Sequence, residues 1–252
     1  LLRPSHWVKN LLLFTPLIFS KQFLNFTSVS TIVLGFFVFS LLASAIYIVN
    51  DIIDCEKDRE HPEKKLRPIA AGFISRKSAF LLALLLFTAV FALTLEQRFS
   101  LFNLIVVVYF TQSILYSAVL KKIAIVDVLT LAFGYILRIL AGGALIQVTP
   151  SHWIILCTGM AALFLGFSKR RHELVTLEAN AQDHRAVLSH YTPYLLDQYI
   201  SVTTASTLLT YSLYCVSDRT IALLGNAHMI WTIPFVALGI FRYLYLIHHK
   251  QK

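Results

Sequence analysis

Residues 29–58 read VSTIVLGFFVFSLLASAIYIVNDIIDCEKD, an apolar run from Val29 to Val49 that ends abruptly in Asn50, Asp51, Asp54 and Asp58. Roughly 20 helical residues cross a bilayer core of about 30 Å, so this stretch reads as a membrane helix whose polar end emerges at one interface. Runs of the same kind recur at residues 8–20, 79–95, 101–120, 125–146, 153–168, 195–216 and 229–247. The 252 residues are 57% hydrophobic and 14% charged, with a mean hydropathy of +0.70. That composition lies outside the range of soluble domains, and the core is built in lipid. The expected fold is an all-α membrane protein of about eight helices, forming one transmembrane helical domain over residues 1–252. The run at 8–20 is the shortest, which predicts a segment packed on protein or tilted at the interface.

The net charge of +9 does not point to nucleic acid, because the basic residues sit in short segments between apolar runs instead of along one polar surface. Of the 22 Lys and Arg, Lys21, Arg98 and Arg219 fall in loops on one side and Arg138 and Arg242 inside spans. All the others share the opposite side. Cytoplasmic loops keep positive charge, so the chain is predicted to be multi-pass in the inner (plasma) membrane with its N-terminus in the cytoplasm. The two longest loops, 50–78 and 169–194, fall on that same side and form a polar cap. No A-x-A cleavage signal precedes the first run, so insertion is expected to rely on internal helices. Cys55, Cys157 and Cys215 form no CxxC pair, which argues against a disulfide framework or a zinc cluster. With no HExxH, GxGxxG, P-loop or nucleophile elbow, nucleotide hydrolysis and serine hydrolase chemistry have no basis here.

Six of the 13 acidic residues fall between Asp51 and Glu63. If the helix continues, Asn50, Asp54 and Asp58 are spaced i, i+4, i+8, and Asp51 shares their arc. Asp is a poor helix former, so stability does not explain its repetition at a membrane boundary. Carboxylates crowded on one face call for a cation, and Mg²⁺ takes one or two carboxylates together with substrate phosphates. Glu56, Glu60 and Glu63 read instead as a solvated face pairing with nearby Lys and Arg. The run His61-Pro62-Glu63-Lys64-Lys65-Leu66-Arg67-Pro68 follows, where two prolines break the helix and bring Lys65 and Arg67 over the acidic face. A basic loop above a metal suits a polyanionic ligand.

Asp127 heads a second candidate segment, with Thr130, Gly134 and Arg138 on the same face of its helix. Ionisable groups inside a span are functional candidates, the alternative being a buried ion pair that fixes packing. Lys169-Arg170-Arg171, next to Glu173, reads either as a positive flank or as a phosphate site, and Arg3 and Lys9 invite the same two readings.

Asn50-Asp51-x-x-Asp54-x-x-x-Asp58, with Asp127 following Tyr116-Ser117 and Lys121, resembles the UbiA superfamily of intramembrane prenyltransferases. Arg3-Pro4-x-His6-Trp7-Val8-Lys9-Asn10, the run from His61 to Gly72, Gly134-Tyr135-x-x-Arg138 and Lys169-Arg170-Arg171-x-Glu173 are similar to its decaprenyl-phosphate phosphoribosyltransferase branch. The resemblance implies nine membrane helices against the eight read here. It implies transfer of 5-phosphoribosyl from phosphoribosyl diphosphate to polyprenyl (decaprenyl) phosphate, a step in cell-wall arabinan precursor synthesis, at a site facing the cytoplasm. Mg²⁺ would be held by Asp54 and Asp58 with Asn50 and Asp51 assisting. Asp127 would bind ribose hydroxyls or a second metal, although it has no acid four residues on. Phosphate contacts would come from Arg3, Lys9, Lys65, Arg67, Lys121, Arg138, Lys169, Arg170 and Arg171, and other substrate contacts from Tyr116, Tyr135 and Glu173. The partners so implied are the lipid phosphate, the sugar diphosphate and the membrane, without nucleic acid; an oligomer is compatible.

Two other readings compete. One is a UbiA enzyme moving a prenyl group from prenyl diphosphate to an aromatic or glycerol-type acceptor, with the same metal site. The other is a transporter, whose charges belong near the bilayer midplane, whereas most of these cluster at one interface.

Overall fold

The structure, a computed structural model, describes residues 1–60, 64–96, 100–177 and 186–249. His61, Pro62, Glu63, Arg98, His184, Lys250 and Lys252 therefore lie outside the described residues, as does part of the 169–194 loop. Among the described residues there is no strand. A 3₁₀ segment, Pro4–Phe14, leads into a short helix α1 (Thr15–Phe19). There follow α2 (Phe26–Ile53), α3 (Cys55–Glu60), α4 (Arg76–Glu96), α5 (Ser100–Ala118), α6 (Val126–Leu145) and α7 (His152–Leu177). The described chain ends with α8 (Pro193–Val216), α9 (Asp218–Leu224) and α10 (Ile233–His249). Six helices are long and apolar enough to cross a membrane, namely α2, α4, α5, α6, α7 and the stretch His228–His249 that contains α10. At 1.5 Å per residue the 28 residues of α2 extend about 42 Å, more than the hydrocarbon core, so its polar end clears the lipid.

The chain divides into two compact units, residues 1–118 with 137–149, and residues 119–136 with 150–252. In the first unit, α2 packs along α4 and against the 3₁₀ segment. The apolar run read at 8–20 is thus not a straight span, and its geometry has a physical reason. Four polar pairs join this segment to α2 in antiparallel order. Arg3 bonds Asp51, His6 bonds Tyr47 at 3.3 Å, the Trp7 indole N–H donates to Ser44 at 3.1 Å, and the Asn10 amide donates to Ser40 at 3.0 Å. Seven residues at the 3₁₀ rise of roughly 2.0 Å advance about 14 Å, close to the roughly 16 Å that α2 advances from Ser40 to Asp51. An α-helical segment would advance only about 10 Å and lose the pairing. The segment also lies close to α6, where a Cβ on Gly142 would overlap the backbone carbonyl of Leu13. The surrounding core includes Leu13, Ile32, Phe39, Phe102, Leu137 and Ala141.

In the second unit, α7 packs along α8 over a core of Val128, Phe164, Phe167, Leu196 and Ile200. Pro193 opens α8 with the Thr192 hydroxyl accepting from the Leu195 amide, a favourable start for a helix. The span read at 195–216 is a helix of 24 residues, but its Ser and Thr content keeps it out of the strongly apolar set. Its hydroxyls turn back onto their own helix: Thr203, Thr207, Thr210 and Ser212 donate to the carbonyls four residues earlier.

Candidate functional site

The acidic end of α2 is a joint. Ile53 closes the helix, Asp54 takes the cap position, and α3 starts at Cys55. Backbone bonds from Asp54 N–H to Asn50 and from Asp58 N–H to Asp54 carry the i to i−4 pattern through it. Asp51 and Asp58, seven residues apart and about two turns along, consequently share a face. Both are buried at 4% exposure, whereas Asn50 and Asp54 are half-buried. The sequence reading put Asn50, Asp51, Asp54 and Asp58 on one face; of these, Asp51 and Asp58 converge on a common partner.

They converge on Arg67. Its Nη1 lies 3.1 Å from Asp51 Oδ1 and 2.6 Å from Asp58 Oδ2, so two carboxylates face a single cationic nitrogen. Arg3 approaches Asp51 separately, with Nη2 donating to both carboxylate oxygens at 2.6 and 2.7 Å. Its guanidinium also lies 5.1 Å from the centre of the Tyr47 ring. Arg3 is held at φ 51, a left-handed conformation that costs a non-glycine residue energy and that its contacts must offset.

The loop carrying Arg67 is a chain of tight turns. Arg67 N–H donates to Lys64, Ala71 N–H to Arg67 and Gly72 N–H to Ile69, with Gly72 at φ 80 where glycine is needed. Cys55 and Arg59 on α3 bind the carbonyls of Ile69 and Ala70, which pins the loop above the acids. Lys65 points to solvent. Glu56 pairs with Arg59 and Arg76 on the exposed face, and its carboxyl is lowered from the ordinary value by the hydrogen bond from Arg76 and then by the charges of both arginines. That fits the solvated-face reading for Glu56.

Among the described residues no three His, Cys, Asp or Glu side chains come together to hold a metal. Two converging carboxylates do, and that donor set fits Mg²⁺, which completes its octahedron with waters and phosphate oxygens. Lys9 is half-buried on the 3₁₀ segment. Arg138, 7% exposed, donates Nε to the Asn10 carbonyl oxygen at 2.8 Å and Nη2 to the Tyr109 hydroxyl at 2.8 Å. It extends the line of polar pairs that begins at Asp51.

In the second unit, Asp127 is fully buried. Its Oδ1 accepts from the Tyr191 hydroxyl at 2.9 Å and its Oδ2 from Arg170 Nε at 2.8 Å. Tyr191 in turn accepts from the backbone N–H of Ile125 at 2.6 Å, a β-branched residue at φ 69. Burial, followed by the effects of Asp127, pushes the Tyr191 phenol up from its ordinary value, so it remains a proton donor. Arg170 Nη1 continues to Glu173 at 2.5 Å, and Lys169 lies 3.9 Å from the same carboxylate. Arg171 bonds Asp197 at 2.5 Å, to which His248 also comes at 3.3 Å. The three consecutive cations therefore diverge: Lys169 faces outward, while Arg170 and Arg171 face inward to different carboxylates. Tyr116, Lys121 and Tyr135 are half-buried.

Sequence reasoning missed Tyr191, Asp197, Tyr109 and the serines of α2. Asp197 carried a usable signal, an acid inside an apolar run, which is the rule that singled out Asp127. Tyr191 carried none, since its role depends on contact with a residue 64 positions away.

The UbiA prenyltransferase family matches this sequence over residues 12–252. The decaprenyl-phosphate phosphoribosyltransferase of Mycobacterium tuberculosis is 33% identical over 246 residues, spanning 96% of this chain and 80% of that protein. Its namesake from Mycolicibacterium smegmatis is 32% identical over 252 residues, 96% of this chain and 79% of the relative. The fold resembles that of a UbiA homologue from Archaeoglobus fulgidus solved with GPP and Mg²⁺, with a TM-score of 0.76 at 17% identity over 98% of this chain and 85% of that one.

Proposed function

The chain belongs to the UbiA prenyltransferase family, and we propose that it transfers 5-phosphoribosyl from phosphoribosyl diphosphate to a polyprenyl phosphate such as decaprenyl phosphate. The observation that carries this reading is 33% identity over 96% of the chain to an enzyme named for that reaction. A phosphate oxygen of the lipid forms the new bond to ribose C1, while the C1–O bond to diphosphate breaks and its electron pair leaves with the diphosphate. The lipid phosphate is already ionised, so the reaction needs positioning and charge neutralisation rather than a strong base.

Asp51 and Asp58 would hold Mg²⁺, with Asn50 and Asp54 at the adjoining turn. When bound, that ion supplies Lewis-acid stabilisation to the charge on the departing diphosphate. Arg67 offers its planar fork to diphosphate oxygens, and Lys65 adds a mobile charge at the mouth of the loop. Arg3 fixes the orientation of Asp51. Lys9, half-buried on the 3₁₀ segment that follows Arg3, is assigned to the lipid phosphate. The phosphate roles read for Lys121 and Lys169 rest on charge alone. Arg138, Arg170 and Arg171 are engaged with amide, phenol or carboxylate partners and are assigned to holding their own helices. The site is assigned to the cytoplasmic face on the distribution of basic residues.

The purified protein in lipid should transfer radiolabelled phosphoribose from phosphoribosyl diphosphate to decaprenyl phosphate in the presence of Mg²⁺. Asp58→Asn should reduce that transfer by about a hundredfold, as loss of a single electrostatic contact at a reacting centre does. If labelled prenyl diphosphate and an aromatic acceptor yield product and phosphoribosyl diphosphate does not, the prenyl-transfer reading replaces this one.

A further inference from the structure

We propose that Arg67 is a placeholder cation, which occupies the point between Asp51 and Asp58 in the substrate-free protein and moves to donor phosphate oxygens when a divalent ion takes that point. The inference rests on the metal site assigned above and concerns how that site is kept and loaded.

Five observations carry it. Asp51 and Asp58 are both buried, and two buried carboxylates facing one point are tolerated only with a cation there. Nη1 of Arg67 is that cation, shared at 3.1 and 2.6 Å. The Arg67 side chain nonetheless keeps 30% exposure, against 2% for Arg170, so it has a path outward that the truly interior arginine lacks. The backbone around it is pinned by bonds from Arg67 N–H to Lys64 and from Ala71 N–H to Arg67, which restricts the exchange to the side chain. Asp51, finally, is held from another direction by Arg3, and keeps its aim when Arg67 leaves.

Charge balance then links the two ligands. A divalent ion entering alone must evict a guanidinium and leave it without a counter-ion. A diphosphate entering with it gives Arg67 somewhere to go. Divalent ion and diphosphate should consequently bind with positive coupling, and the bare site should hold the ion weakly.

The test measures Mn²⁺ binding to the detergent-purified protein by the electron paramagnetic resonance signal of free Mn²⁺. It is run with and without inorganic diphosphate, after allowance for the complex these form in buffer. The unaltered protein should bind Mn²⁺ about tenfold more tightly with diphosphate than without, within the ordinary range of site coupling. Arg67→Gln should bind Mn²⁺ alone about tenfold more tightly than the unaltered protein and lose most of the diphosphate gain, while Arg67→Lys keeps the original pattern. Absence of coupling in the unaltered protein overturns the proposal even if Arg67→Gln fails to fold. So does unchanged or weaker binding of Mn²⁺ alone to a folded Arg67→Gln. In both cases Mn²⁺ binding that depends on Asp58 leaves the metal site itself standing. Absence of Mn²⁺ binding under every condition removes the metal site and the placeholder together.

Discussion

Asp127 shows how far a single residue can be read from sequence. Its cost inside an apolar helix marks it as important, but two readings remain open at that stage, a ligand to substrate or a partner in packing. The structure engages both of its oxygens, one by Tyr191 and one by Arg170, with all three groups buried. Replacement by Asn keeps the shape and removes the charge opposite the buried guanidinium of Arg170. Asp127→Asn should therefore destabilise the protein by about 3–5 kcal/mol, the usual loss when one partner of a buried pair goes, seen as a lowered midpoint in thermal unfolding in detergent. A variant that melts normally yet fails to transfer phosphoribose would assign Asp127 to substrate instead. The acids at 51–58 follow the same logic with a different outcome. Their concentration was legible, because Asp repeated at a lipid boundary has no stabilising purpose. Which two converge was not, because that depends on Arg3 and Arg67, 48 and 16 residues from Asp51.

At the scale of elements, hydropathy alone located α2, α4, α5 and α6 to within a few residues of the spans read from sequence, whereas α7 starts where the span at 153–168 does but continues to Leu177, past the charged Lys169–Arg171 run that ended the apolar reading. It could not describe the segment before α2, since a run of apolar residues is silent about whether it coils at 3.0 or 3.6 residues per turn. The choice is made by the polar pairs to α2 and by the close approach of α6. Gly142 is the residue that permits this approach, because any Cβ there overlaps backbone that has no flexible end to move aside. Gly142→Ala should cost about 1–3 kcal/mol of stability in the same unfolding assay, the range for overpacking a filled core. Gly239→Ala on α10, where an added methyl meets nothing within 4 Å, should unfold at the original temperature or slightly above. Equal melting of both variants would mean that the 3₁₀ segment does not dock on α6 as described. The α8 helix teaches the converse point. Its hydroxyls lower its hydropathy, yet each of those named bonds within its own turn, so a helix outside the strongly apolar set can still satisfy most of its polar side chains internally.

For the molecule as a whole, the question is which side of the membrane the acidic joint faces. The chain is a multi-pass membrane protein, and α2, longer than the hydrocarbon is thick, separates Lys21 and Asn25 from Asp51 and the Arg67 loop. Those two groups of residues must lie on opposite sides. Basic residues are concentrated on the side of the loop, and translocation of such clusters is disfavoured, so the acidic joint is assigned, as in the proposed function, to the cytoplasmic side, which would supply a soluble, highly charged sugar phosphate. A single cysteine substituted at Lys65, in a background with Cys55, Cys157 and Cys215 replaced by Ala, should react with a membrane-impermeant maleimide in inside-out vesicles and resist it in intact cells. A cysteine at Lys21 should show the opposite pattern. Because both positions flank the same helix, reversal of the pair would turn α2 over and place the acidic joint on the side that cytoplasmic phosphoribosyl diphosphate cannot reach. Labelling of both from one side would show instead that α2 does not cross, and the separation on which the assignment of the site depends would be lost.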